Sequence, residues 1–486
     1  MRILHIISRM DPAGGGPQEV VRLLLRYAPA GYAQEVVTLD DPAAAFLQNE
    51  TAPVHALGRS GTRFAAPQLT RWLIANRDRF DGIILHGLWE YASFAVLRTI
   101  AGHRPYVVFP HGMLDPYFKR ASPLKHLKKW LYWLPVQYWT LRRAQRVLFT
   151  TAAERDLATQ SFWLHRWNPI VVALGAETPP TDLYPGTEEP PVESNSSGAD
   201  IGRPETSAPG TSGSRASAPH TLGPEARSIP AWGEAPRTMH TGETGGPEAR
   251  SINSLGFLES FYDRSPAVRG KRFLLFLGRI DPKKGCDLLV DAFAALQQTA
   301  SSSPIKFSSR PERSGVERPA FLSTPMLNPD LHLVLAGPDP DNWGEHLRKT
   351  LQAAGIADHI HFPGMLTGNA KWGAFTASEA FILPSHQENF GIAVVEALAC
   401  GRPVLITHAV NIAADLAADG CALVEDDTLQ GTANLLTRWL QLPPEERANM
   451  GQRARNAFAT RYDMRMNAHA ILRCFEGQTG HEVDPA

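Results

Sequence analysis

Short, nearly continuous apolar runs alternate along this chain with stretches whose apolar residues recur every three or four positions. In the first part the runs fall at residues 2–8, 34–39, 53–57, 82–87, 105–111, 146–151 and 169–174. Val, Ile, Leu and Phe fill several of them almost without interruption, as strands covered on both faces of a parallel sheet require. Amphipathic stretches such as 19–27 lie between them. The alternation predicts a doubly wound α/β domain. The same rhythm returns after residue 270, with strands expected at 272–277, 332–336, 359–362, 380–384, 402–406 and 421–424. A helix is expected over 287–296, where Leu288, Leu289, Ala292, Phe293 and Leu296 form one stripe. A second Rossmann-like domain is therefore expected.

The pattern lapses twice. Residues 178–268 are rich in Pro, Gly, Ser, Thr and Glu, and GPEARSI occurs at 223–229 and again at 246–252. Such a stretch buries too little apolar area to offset its chain entropy, so a disordered insert is expected. Removing about 186–265 should then leave folding intact. A second polar insert spans about 301–328. Long insertions in a loop cost little, and a tolerated insertion explains both. The expected organisation is an N-terminal domain at 1–177, the insert at 178–268, and a C-terminal domain at 269–455. Residues 456–486 are expected to form a helix crossing back, and a tail.

Composition narrows the choice. Across 486 residues, 48 basic and 49 acidic side chains leave a formal charge of −1. No protein-wide basic field exists, and no nucleic-acid partner is expected. The cysteines Cys286, Cys400, Cys421 and Cys474 lie far apart with no C-x-x-C pair, which suits a reducing cytosol rather than zinc or a disulfide framework. The apolar run at the N-terminus is too short for a secretion signal, and no run of about 18 apolar residues is present. A cytoplasmic protein is expected. One segment departs from neutrality. Residues 117–146 carry Lys119, Arg120, Lys125, Lys128, Lys129, Arg142, Arg143 and Arg146, interleaved with Trp130, Trp133 and Trp139. Either this segment lies on an anionic membrane surface, or it is a helical pair with core aromatics and solvated cations.

Chemistry gathers at strand ends. Pro384-Ser385-His386-Gln387-Glu388-Asn389-Phe390-Gly391 follows an apolar run and leads into a helix carrying Glu396. Backbone N–H groups and the dipole at that helix start suit a phosphate or diphosphate. Glu388 is placed to meet a sugar or a developing oxocarbenium ion, and Glu396 to grip a ribose diol. Gly278-Arg279 and Lys283-Lys284-Gly285 follow another run, and fixed cations there suit a leaving diphosphate. Taken singly, each is equally explained as an ordinary polar turn. Ala13-Gly14-Gly15-Gly16-Pro17 lies between the first strand and helix without the spacing of a G-x-G-x-x-G fingerprint. Asp339-Pro340-Asp341 has the look of a metal-binding Asp-x-Asp but reads as a turn.

Taken together, GR-x4-KG at Gly278–Gly285, LVLAG at 333–337, FPG at 362–364 and PSHQENFGIAVVEALACGRPV resemble the retaining GT-B glycosyltransferases of family 4. The resemblance is most specific over 273–425, weaker but continuous over 1–177, and covers neither insert. It implies a GT-B fold: two facing Rossmann-like, doubly wound domains with a deep interdomain cleft. It implies sugar transfer from a nucleotide sugar with retention, by a front-face displacement in which the leaving phosphate helps deprotonate the acceptor. No cofactor or metal is implied. By the same resemblance Arg279 and Lys284 bind donor phosphates, Glu388 contacts the donor sugar and Glu396 binds the ribose. Backbone near Phe390, Gly391 and Ile392 holds phosphate or sugar oxygens. Gly15 and Gly16, with Gly278, admit the ligand closely. His111, in Pro110-His111-Gly112, faces the donor sugar, and His86 is a further candidate for lining the cleft. The acceptor is expected to be a growing surface glycan, as in lipopolysaccharide synthesis, or a lipid-linked one, with the protein peripheral on the inner face of the plasma membrane. The other readings are an epimerase or phosphorylase on this fold, or a non-catalytic sugar-nucleotide-binding subunit.

Overall fold

A computed structural model describes residues 1–58, 66–117, 119, 123–180, 247–297 and 331–475, with the side chains of 247–254 left aside. Arg120, most of the first insert, the 301–328 insert and the last residues of the tail lie outside the described residues.

Thirteen described strands form two sheets, both wholly parallel. The N-terminal sheet contains β1 (Arg2–Ile6), β2 (Ala33–Thr38), β3 (Val54–Ala56), β4 (Gly82–His86), β5 (Tyr106–Phe109), β6 (Arg146–Phe149) and β7 (Pro169–Val171). The C-terminal sheet contains β8 (Arg272–Leu277), β9 (Leu331–Ala336), β10 (Ile360–Gly364), β11 (Ala380–Leu383), β12 (Val404–Thr407) and β13 (Ala422–Glu425). The first is ordered β3-β2-β1-β4-β5-β6-β7 and the second β10-β9-β8-β11-β12-β13. Both carry the Rossmann order, in which the sheet grows outward in both directions from its first strand. Every apolar run read from the sequence is one of these strands. Burial explains why: β4, β5 and β9 are buried at every position, so both faces must be apolar.

The domains share a core. One apolar cluster runs from Ile3 and Ile84 of the N-terminal sheet and Leu24 of the first helix through Ile471, Leu472 and Phe475 into the C-terminal sheet at Phe273 and Phe381. The chain crosses back after Phe458–Tyr462. Ala176 N donates to Tyr462 O at 3.0 Å, and Met464 N to Ala176 O at 3.2 Å. Gly175 is required at this crossing, because a Cβ there would lie 2.5 Å from Tyr462 O.

One detail differs from the sequence reading. Helix Pro247–Arg264 falls inside the stretch expected to be disordered, and the boundary at 268 is corrected accordingly. It packs on helix Gly368–Ala377 so closely that a Cβ on Gly373 would sit 2.0 Å from Phe257 O. Phe257, Phe261 and Val268 join the core. Two phenylalanines four apart are too brief a period to stand out beside low-complexity sequence. Removing 186–265 would take the core residues Phe257 and Phe261 with it, so a loss of stability is expected in place of intact folding. The Asp339-Pro340-Asp341 segment is the turn expected, and Asp339 also holds the start of helix Trp343–Ala354. Its Oδ1 accepts from Trp343 N at 2.7 Å and its Oδ2 from Gly344 N at 2.9 Å.

Phe261 is fully buried and meets the Phe273 ring at 5.6 Å. Phe261→Ala should destabilise the protein by about 3–5 kcal/mol, read as a lowered denaturant midpoint. An unchanged midpoint would show that the helix is not part of the folding unit.

Candidate active site

Open α/β sheets bind ligands beyond the carboxyl ends of their strands, where the strand order reverses. Here those points are the loops after β1 and β4 in one domain, and after β8 and β11 in the other.

In the C-terminal domain the two loops are stitched together. After β8, Asp281 caps the turn Pro282–Lys284, and Gly285 takes φ +69°. A Cβ on Gly285 would lie 2.0 Å from Pro384 O, so only glycine lets the turn seat against the loop after β11. Lys283 O then accepts from His386 N at 2.9 Å and from Ser385 Oγ at 3.1 Å. Glu388 is held by its backbone, with its N–H on Ala409 O at 2.9 Å and its carbonyl accepting from Asn411 N at 3.1 Å. This docking delivers Lys284 to Glu388 as an ion pair, both side chains largely buried. Burial alone raises the Glu388 carboxyl. The Lys284 charge and hydrogen bond and the Lys283 charge outweigh it, and the net shift is downward. Lys283 is itself shifted down, first by burial and then by Lys284.

Arg279 stands apart from this pair. It is 44% exposed and reaches Asp281 at 3.7 Å. Gly278 is not forced by packing on its own side, since a Cβ there makes only ordinary contact with Phe276. The close approach lies at Gly337, whose Cβ would be 1.8 Å from Gly278 O. Helix Ile392–Ala399 begins at Gly391 with φ +80° and no side-chain cap. Its first amides are thus not claimed by a capping side chain. Phe390 is buried and meets Tyr462 edge-on at 5.9 Å, so its side chain anchors the loop while its backbone stays in it.

Glu396 lies in a different environment. It is buried, and its Oε1 accepts from Lys371 Nζ at 2.7 Å. Burial raises this carboxyl, Lys371 opposes, and the charges of Glu19 and Glu177 raise it further, for a net upward shift. Lys371 is held protonated, because Glu396 outweighs its burial.

The N-terminal loops meet these. Gly15 takes φ +100°, and neither Gly15 nor Gly16 has a protein atom within 4 Å of where a Cβ would lie. The turn after β5 holds His111 at φ +52° and Gly112 at φ +74°. A Cβ on Gly112 would be 2.8 Å from Asn389 Cβ, so this turn abuts the loop carrying Glu388. Gln387 Nε2 donates to Asp115 Oδ2 at 3.0 Å, and Asn389 Nδ2 to Thr150 Oγ1 at 3.3 Å, both across the cleft. Burial takes His111 down to about 3, keeping its imidazole neutral.

The structure thus brings His111, Glu388, Lys284 and Gly391 together, with Arg279 more exposed beside them and Glu396 paired instead with Lys371. Two contributors were not foreseen. Glu154 supports the His111 turn, accepting from Gly112 N at 2.8 Å and Thr150 N at 2.7 Å. Its signal was the capping box Thr151-x-x-Glu154, whose Thr151 Oγ1 accepts from Glu154 N at 2.9 Å. Lys371 carries no comparable sequence signal.

Comparison with known proteins follows this geometry. A model described as "Glycosyl transferases group 1" matches residues 260–457, and one described as "Glycosyl transferase 4-like domain" matches 14–175. A D-inositol 3-phosphate glycosyltransferase of Gordonia bronchialis is 30% identical over 217 residues, 44% of this chain and 40% of that protein. One of Jonesia denitrificans is 35% identical over 136 residues, 27% of this chain and 26% of its own length. The matched segment thus spans well under half of either relative. Among solved structures, Anabaena HepE in complex with UDP and glucose aligns with TM-score 0.63 at 15% identity, over 97% of this chain and 98% of that one. WaaG, a glycosyltransferase involved in lipopolysaccharide biosynthesis, aligns with TM-score 0.57 at 15% identity, over 98% of this chain and all of its own. Such identities establish a common fold. With one matching model on each of its two Rossmann-like halves, and their site loops facing, the chain belongs to the group 1 glycosyltransferases, on the GT-B fold.

Proposed function

We propose that this protein transfers a sugar, with retention, from a nucleoside-diphosphate sugar to an acceptor bound between its domains. The observation carrying this reading is the convergence of the uncapped helix start at Gly391, the Lys284–Glu388 pair and the His111 turn at facing strand ends. The amides of 391–392 and the cations of Arg279 and Lys284 receive the donor diphosphate. No metal is required for that charge. Glu396, steadied by Lys371, holds the ribose. Glu388 remains anionic beside the sugar, where positive charge develops as the glycosidic bond breaks. The leaving phosphate oxygen takes the acceptor's proton on the face from which it departs. HepE was solved with UDP and with UDP-glucose, so uridine donors are the first to test. Radiolabelled donor separates the readings: label moved to an acceptor supports transfer, whereas an isomerised sugar nucleotide with no acceptor product would replace it with epimerisation.

The acceptor is proposed to be presented at a membrane, as a lipid-linked or surface glycan. No described helix is long and apolar enough to cross one. Helix Pro123–Tyr132 supports a peripheral reading. Leu124, Leu127 and Leu131 point outward, 76%, 65% and 80% exposed, with Trp163 at 76% nearby and exposed Lys125 and Lys128 alongside. An apolar stripe flanked by cations suits an anionic lipid interface. The aromatics divide. Trp133 is wholly buried and stacks on Phe162 at 4.1 Å, as the core alternative requires.

Three outcomes are expected. Glu396→Ala mainly raises the donor KM, because ribose contacts act on ground and transition states alike. Arg279→Ala and Glu388→Gln lower kcat by roughly a hundredfold, measured by steady-state kinetics with donor affinity read separately by calorimetry. Weaker donor binding at unchanged kcat would remove these two from transition-state stabilisation.

The Glu388 carboxyl is shifted down from its ordinary 4.5. Its contribution to stability is therefore fully present above that value and is lost as pH falls through the lower folded value. The stability difference between wild type and Glu388→Gln should be largest at neutral pH and shrink in acid. A difference independent of pH would mean the pair contributes no linked stability.

Replacing Leu124, Leu127 and Leu131 with Ser should abolish flotation with phosphatidylglycerol-containing vesicles. Equal flotation of mutant and wild type would remove this face as the contact.

A further inference from the structure

Four polar side chains cross the N-terminal sheet in a hydrogen-bonded row that ends at the cleft. Gln34 Oε1 meets His5 Nε2 at 2.6 Å, His5 Nδ1 meets His86 Nε2 at 2.9 Å, and His86 Nδ1 meets His111 Nε2 at 2.9 Å. Strand register builds the row. His5 pairs with Val36, two residues past Gln34. Ile84 pairs with His5, two residues before His86. Phe109 pairs with His86, two residues before His111. Side chains two apart share a face, so each link steps one pleat toward the carboxyl edge. His5 is fully buried, and His86 and Gln34 are 4% and 7% exposed, so solvent has little access to reorient them.

The proton positions along this row follow from its far end. Gln34 Nε2 lies 2.7 Å from Leu24 O, and a carbonyl only accepts. The amide nitrogen must therefore face Leu24, and its oxygen must face His5. His5 Nε2 then carries the proton and its Nδ1 is bare. That bare nitrogen requires a proton on His86 Nε2, and bare His86 Nδ1 requires one on His111 Nε2. All three imidazoles are neutral, shifted down first by burial. No described hydrogen bond engages His111 Nδ1, the nitrogen left bare.

We propose that Gln34, His5 and His86 are positioning residues that lock His111 as its Nε2–H tautomer, so that its Nδ1 accepts from a hydroxyl of the sugar in the cleft. The role of that hydroxyl rests on the donor-sugar reading above; the lock itself does not. Nothing moves along the row. Transfer of a proton inward would strand an imidazolium beside Gln34, in a site that disfavours charge.

The test is long-range 1H–15N correlation of histidine-labelled full-length protein, with His111 assigned by its loss in His111→Phe. Wild type should show protonated Nε2 and bare Nδ1 at His5, His86 and His111. Gln34→Leu removes the anchor, and should mix the tautomers and lower kcat/KM on the order of tenfold. Gln34→Glu, buried as the neutral acid, donates its hydroxyl to Leu24 O and keeps an acceptor facing His5, and should keep both the tautomer and most of the rate. A proton on His111 Nδ1 in wild type overturns the proposal, and needs neither a foldable variant nor turnover. A shifted tautomer in Gln34→Leu with unchanged turnover overturns the positioning role. Absence of sugar transfer altogether would sink the donor reading while the spectra still decide the lock.

Discussion

Two wholly parallel sheets meet by their carboxyl edges, and most of the site depends on that constraint. A parallel strand pair needs a crossover on one face, so every strand delivers its following loop to the same edge. When two such sheets share a core through a returning helix, their loop edges are brought opposite each other. The two edges touch at Gly112 and Asn389, with no room for a Cβ. Hydrogen bonds from Gln387 and Asn389 to Asp115 and Thr150 align the rest.

Within this frame the two glutamates of one loop and helix acquire opposite character. Glu388 faces two lysines and is driven toward the anion. Glu396 shares a single lysine with Glu19 and Glu177 and is driven toward the neutral acid. Burial acts the same way on both, so the difference comes from the neighbouring charges. A carboxylate that stays charged suits a centre where positive charge develops. One that burial and two neighbouring glutamates push toward the neutral acid, against a single lysine, suits holding neutral hydroxyls.

Much of this was legible in the chain. The central strands stand out because burial on both faces demands unbroken apolar runs, and local hydrophobicity reports that directly; the edge strands β3 and β7 are only partly buried and are shorter. The loop Pro384–Gly391 stands out because a polar stretch with glycine, set between an apolar run and a helix, is a local pattern too. Helix Pro247–Arg264 was hidden, since its two core phenylalanines adjoin sequence with no period at all. The exposed leucines of Pro123–Tyr132 look like core residues in sequence, because amphipathic spacing is the same whether the apolar stripe faces inward or outward.

What the sequence by itself determined is the set of elements, their α/β order and the residue types at the strand ends. These follow from interactions between residues close in the chain: periodic burial, turn chemistry and helix starts. What only the tertiary structure decided is which charges and protons face one another. Lys371 reaches Glu396 from another helix. Glu154 braces a turn that leaves a different strand. Gln34, His5, His86 and His111 are spread over the N-terminal domain, and only the register of four adjacent strands lines them up. Electrostatic and hydrogen-bonding partners are selected by distance in space, and a parallel sheet places its neighbours tens of residues apart along the chain.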